Sequence, residues 1–135
     1  MTLLITPKID ALFVDLDDTL VSSAGNIISD TMSLIRVCKS KSIPIHVVTR
    51  NEDVKIILEE LNIIRFFDSI HFVDMNRKSE VITSKFPVFI DDSEFERKEV
   101  KESLPTTRVL SIIEVSGFTK DLIEGRVMPV GKSFL

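Results

Sequence analysis

The feature that most constrains how this chain folds is a repeated change of hydrophobic period. Five short apolar runs, DALFVDL (10–16), IPIHVVT (43–49), SIHFVD (69–74), FPVFID (86–91) and TRVLSII (107–113), are separated by stretches of helical spacing. Within SDTMSLIRVCKSK (29–41), Met32, Ile35 and Cys38 share one face. In NEDVKIILEELNI (51–63), Val54, Ile57, Leu58 and Leu61 fall at i, i+3, i+4 and i+7, with Asn51 placed to cap the helix. RKSEVITSK (77–85) reads as a short helix and SEFERKEVKES (93–103) as a charged one. Strands alternating with helices imply right-handed crossovers and a parallel sheet covered on both faces. The expected class is therefore α/β, a three-layer αβα, Rossmann-like fold with about five strands. Beyond about residue 115 no period dominates, and residues 125–135 read as an extended tail.

The chain of 135 residues suits a single domain spanning 1–135, without repeats or linker-like segments. No apolar run approaches the roughly 20 residues of a membrane span. The N-terminal MTLLITPKID has neither a basic lead nor a small-residue cleavage site, so no secretory signal is expected. A lone cysteine, Cys38, excludes an internal disulfide framework and fits the cytoplasm. With a net charge of −4 and its basic residues dispersed, the chain is not built for non-specific nucleic-acid binding; a nucleic acid enters only as substrate.

In open α/β sheets the functional site lies beyond the carboxyl ends of the strands. That rule gathers Asp15, Asp17 and Asp18 after the first run, Thr49 and Arg50 after the second, and Asp91, Asp92 and Glu96 after the fourth. Lys78 precedes the fourth run. So many carboxylates around one point cannot all stay ionised in a poorly solvated cleft without a cation. A hard divalent ion answers that need, and Mg²⁺ suits it because it shares ligands with water and phosphate. A lysine and a threonine at the same edge supply the charge and the hydroxyl donor that a phosphoryl group requires. An aspartate can attack phosphorus, and a second acid two residues on can protonate the leaving oxygen.

Four segments in order resemble the motifs of the haloacid dehalogenase (HAD) superfamily of phosphatases and phosphotransferases: DLDDTL, IHVVTR, RKSEVI and VFIDDSEFE, within residues 10–96. The resemblance implies that Asp15 is nucleophile and Mg²⁺ ligand, and that Asp17 is the acid/base and binds the metal through its carbonyl. It implies that Thr49 donates to the phosphoryl oxygen and that Lys78 stabilises its charge. Asp92 becomes the second metal carboxylate, with Asp91 as further ligand or support, Glu96 hydrogen-bonding outside them, and Asp18 and Thr19 supporting the loop. Arg50 either contacts substrate or lies exposed in its loop. An acid at position 17 points to phosphate esters rather than halides. The gaps 20–48 and 50–77 leave no room for a cap domain, so the implied enzyme is a capless phosphatase with VSSAGNIISD (21–30) as a small flap. Its substrate is a phosphorylated molecule of open class: sugar phosphate, nucleotide or nucleic-acid end, or phosphoprotein. A second subunit closing the open cleft fits the same reading.

Two other readings compete. A receiver-like signalling domain uses similar residue types, but carries its phosphorylated aspartate after the third strand, where FVDM offers only Asp74. A degenerate HAD scaffold that only binds a partner fits less well with four intact motifs. His46 and His71, inside strands, read as packing residues, and Phe66 and Phe67 as plugs of the sheet.

Overall fold

Apolar runs too short for helices form strands, and the amphipathic stretches between them form helices. A computed structural model describes residues 5–131. Its elements are β1 (Lys8–Ile9), β2 (Ala11–Val14), α1 (Ser29–Ser40), β3 (Ile45–Thr49), α2 (Val54–Glu60), β4 (Ser69–Phe72), β5 (Pro87–Ile90), α3 (Glu94–Ser103), β6 (Arg108–Leu110), α4 (Val115–Ile123) and β7 (Met128–Pro129). Single 3₁₀ turns occupy Ile64–Phe66, Lys78–Val81 and Ile112–Glu114. Five strands form one parallel sheet in the order β4-β3-β2-β5-β6, flanked by helices in a Rossmann-like arrangement.

Every residue of β2 is buried, as the central strand of a two-sided sheet requires. On one face Leu12, Val14, Ile45, Val47, Val88 and Ile90 belong to a core with Leu34, Ile35 and Cys38 of α1, Leu58 of α2, and Phe118 and Leu122 of α4. On the other, Ala11, Phe13, Val48 and Phe89 pack with Ile82 and with Val100 of α3. Burying a side chain of this size contributes roughly 1.5–3 kcal/mol, which outweighs the tenths of a kcal/mol that separate most helix propensities. Packing therefore fixes the helices. Helix α3 lies over β6 and the 78–81 turn, so among the described residues the β3–β4 half of its face has no helix above it, and His46, Ser69 and His71 there are half-buried. Phe66 and Phe67 pack, partly buried, against the larger core.

The strand order creates the site. From β2 the chain moves outward through β3 and β4, then returns across the sheet to β5 on the other side of β2. Such a reversal opens a crevice at the carboxyl ends. Because Val14 is in register with both Val47 and Ile90, Asp15 and Asp91 emerge side by side, and Thr49 lies two residues past Val47.

The structure departs from expectation in four places. The segment 77–85 forms a single 3₁₀ turn rather than a helix. The fifth strand ends at Leu110, because Ser111 and Glu114 form a reciprocal capping box that starts a turn at Ile112. The region beyond residue 115 holds a helix, α4, and the expected tail contains β7, parallel to β1; residues 132–135 lie outside the described residues. Finally, Asn51 does not stand at the helix N-cap, a position held by Asp53, but accepts the Asp53 N–H through Oδ1 at 2.9 Å. The connection from β2 to β3 contains a small hairpin, bridged at Val21 and Ile27, and α1, with no further folded unit. Among the described residues no helix is long and apolar enough to cross a membrane.

Candidate functional site

The loop after β2 is a tight knot. The Asp15 N–H donates to the Ile90 carbonyl at 3.0 Å, extending the ladder one step past the strand, and the amides of Thr19, Leu20 and Val21 converge on the Leu16 carbonyl. Leu16 and Leu20 are fully buried and anchor the loop. Asp18 turns the chain with φ of 58°, a left-handed conformation that aspartate tolerates better than most residues. Its carboxylate accepts the Ser23 N–H at 3.1 Å, so Asp18 shapes the turn. The Thr31 hydroxyl of α1 donates to the Thr19 carbonyl at 2.6 Å. Beyond the knot, Gly25, with φ of 82°, closes the hairpin of the expected flap.

Four charged groups meet above β2 and β5. Lys78 Nζ lies 2.8 Å from Asp15 Oδ1 and 2.7 Å from Asp91 Oδ2, with all three side chains buried. Asp91 Oδ1 accepts the Ser93 N–H at 2.9 Å. The Thr19 hydroxyl lies 3.2 Å from Asp15 Oδ2 and 3.3 Å from Asp92 Oδ1, and accepts the Asp92 N–H at 3.0 Å. One hydroxyl has one hydrogen, so it bonds only one of these carboxylates at a time. Asp15, Asp91 and Asp92 each bring an oxygen within 4.8 Å of the others. A single lysine does not balance three carboxylates.

The electrostatics follow from burial. Desolvation, reinforced by the Asp91 charge and opposed by Lys78, pushes the Asp15 carboxyl up to about 7. Desolvation likewise raises Asp91, against the pull of Lys78. For Lys78, burial alone would lower the value, but Asp15 and Asp91 together hold it above the ordinary lysine range. An all-oxygen set of this kind could hold a hard divalent cation.

These directions set a pH dependence. An acid whose value is higher folded than unfolded contributes stability that is fully present below the ordinary carboxylate range and is lost as pH rises through the folded value. The stability difference between wild type and Asp15→Asn, followed by urea unfolding in chelator, is thus expected to move in the variant's favour from about pH 4 to about pH 7. Added Mg²⁺ should stabilise the wild type more at pH 8 than at pH 5. A flat difference across that window would show that Asp15 is not strained by its surroundings.

The remaining expected residues line the same edge. Thr49 ends β3, buried, and its hydroxyl accepts the Asn51 N–H at 3.0 Å, which leaves its own hydrogen to donate. The Asp17 carboxylate is exposed and outside the trio; Asn51 Nδ2 lies 3.3 and 3.4 Å from its two oxygens. Arg50, read either as a substrate contact or as an exposed loop residue, is held by partners of its own: its Nε donates to Glu96 Oε1 at 2.7 Å, its Nη2 to Glu96 Oε2 at 3.3 Å, and its Nη1 to the carbonyls of Asp74 and Asn76. Glu96, buried in the first turn of α3, therefore contacts Arg50, while Ser93 caps its helix. Two contributors were not singled out for the site in the sequence. Asn51 was assigned only to a cap, although its position directly after Thr49 and Arg50 marks it. Arg97 donates from α3 to the Asp91 carbonyl at 2.9 Å, and nothing in its charged surroundings sets it apart. A groove of about 450 Å³ is lined by Arg77 and, along α3, by Phe95, Lys98, Glu99, Glu102 and Ser103.

Compared with known proteins, the chain matches no protein-family model, no curated protein and no solved structure.

Proposed function

We propose that this protein is a Mg²⁺-dependent phosphomonoester hydrolase of the HAD type, acting through a phosphoryl group carried on Asp15. The observation that carries the reading is the buried Asp15 carboxylate, held by Lys78 on one oxygen and Thr19 on the other, with Asp91 and Asp92 around it. A purely structural ion pair needs one acid for its lysine. Here additional acids crowd the same point, an arrangement suited to a cation and an anionic substrate.

In this mechanism the Asp15 carboxylate attacks phosphorus, a P–O bond to Asp15 forms, and the bond to the ester oxygen breaks. Asp17 gives its proton to that departing oxygen. Water then attacks phosphorus, Asp17 takes a proton from it, and the bond to Asp15 breaks, releasing inorganic phosphate and restoring both acids. Lys78 stays charged throughout and balances the Asp15 carboxylate and the phosphoryl oxygens, while Thr49 donates its hydroxyl hydrogen. Mg²⁺, held by Asp15, Asp92 and Asp91, would supply further positive charge to the phosphoryl oxygens. Asn51 orients Asp17. The substrate is a phosphate monoester, whether sugar phosphate, nucleotide or nucleic-acid end, or phosphoprotein, met in the cytoplasm.

The test is hydrolysis of an aryl phosphate with and without Mg²⁺. Wild type is expected to turn over only with the metal. Asp17→Asn should lower steady-state turnover roughly 10²–10⁴-fold, the usual contribution of a positioned acid/base. A first-turnover burst should survive, because an aryl oxygen leaves without a proton. Turnover unaffected by chelation, or Asp17→Asn turning over at the wild-type rate, would sink this assignment.

A further inference from the structure

We propose that His46 and His71 form a second metal site, for a borderline transition-metal dication such as Zn²⁺ or Cu²⁺, apart from the carboxylate cluster. In the β3–β4 ladder His46 is in register with Ser69, and Val48 with His71. Alternate strand residues share a face, so His46, Ser69 and His71 project from the same side of the sheet. This is the half of the face that α3 leaves uncovered, where all three are only half-buried and open to a solute.

Their polar atoms converge. Ser69 Oγ lies 2.6 Å from His46 Nδ1 and 2.8 Å from His71 Nε2, and the two rings stand 6.2 Å apart between centroids. Two imidazole nitrogens from different strands are thus aimed at one point that a serine hydroxyl occupies. Rotating Ser69 to another staggered χ1 well withdraws its oxygen, and an ion would sit between the two nitrogens on the side away from the Ser69 Cβ, with each ring carrying its proton on its other nitrogen. Imidazole nitrogens bind Zn²⁺ at about 2.0–2.1 Å and favour zinc or copper over magnesium, while water can complete a four-coordinate shell.

Other features prepare the pair. The Phe13 ring packs against His46 with centroids 4.8 Å apart and fixes its plane. Burial, opposed by the nearby Asp68 charge and assisted by His71, holds His46 below the usual histidine value, the direction that favours the neutral ring a metal binds. The Asp68 charge also favours a cation beside His46.

The chain has two histidines, so an imidazole ¹⁵N spectrum reports on this site alone. Titration of the whole protein with Zn²⁺ in excess Mg²⁺ is expected to shift His46 Nδ1 and His71 Nε2 together, saturating at one zinc per chain, whereas Mg²⁺ alone shifts neither. His71→Gln should weaken zinc binding at least tenfold, and Asp15→Asn should leave it intact, which separates this site from the carboxylates. The proposal is overturned if zinc leaves both imidazoles unshifted, shifts only one, or binds His71→Gln as tightly as wild type. The wild-type spectra decide even if the variant folds poorly.

Discussion

Lys78→Met is expected to cost the metal-free protein roughly 3–5 kcal/mol of folding stability at pH 8, the scale seen when one partner of a buried ion pair is removed. Methionine fills nearly the same volume, so the loss reads the charge rather than a cavity. Lys78 Nζ is the ion-pair partner of both Asp15 and Asp91, and each of these side chains is almost fully buried. Without it, two carboxylates face each other in a poorly solvated pocket. The cost should shrink at pH 5, because burial already raises both acids and protonation then removes the repulsion. Mg²⁺ should restore part of the loss at pH 8. Urea unfolding of wild type and variant at the two pH values, with chelator and with Mg²⁺, measures all of this. A variant within about 1 kcal/mol of wild type at pH 8 would mean that the pair is worth no more than a surface salt bridge.

Asp15→Asn is expected to move activity and stability in opposite directions. Hydrolysis of an aryl phosphate should fall roughly 10³-fold or more, since a lost nucleophile cannot be replaced by binding alone. In chelator at pH 8, however, the variant should be at least as stable as wild type. Asparagine carries no charge to desolvate, and Lys78 keeps Asp91 as its partner. The thermal stabilisation that Mg²⁺ confers on wild type should shrink in the same variant, because one of the three converging carboxylates is gone. Functional sites commonly hold such destabilising residues. Full activity in Asp15→Asn would remove the proposed nucleophile; a variant less stable than wild type in chelator would mean that Asp15 is a net structural asset through Lys78.

Much of the architecture was legible because β2 and β5 are continuous apolar runs, the pattern of strands buried on both faces, and β3 departs from that pattern inside the strand only at the half-buried His46. Their carboxyl ends then placed Asp15, Thr49, Asp91 and Asp92 along one edge. Helix α4 was overlooked although Val115, Phe118, Thr119 and Leu122 are buried at helical spacing. A glycine at 117 and several β-branched residues weaken the local signal, and packing against α1 supplies what propensity lacks. The segment 77–85 was read as a short helix, yet the buried residues of its 78–81 turn, Lys78 and Ser79, do not form an apolar stripe. Long-range partners were out of reach. Arg50 and Glu96 lie 46 positions apart, and the Ser69 hydroxyl joins His46 to His71 only through strand register.

The Arg50 guanidinium touches the loop after β4 through the Asp74 and Asn76 carbonyls and the start of α3 through Glu96, from its own place after β3. Three chain segments that would otherwise fluctuate separately are joined at one planar group, and Lys78 follows two residues after the bound Asn76 carbonyl. The entropy of gathering those loops is lost during folding, before any ligand arrives, so a bound molecule meets a surface already set.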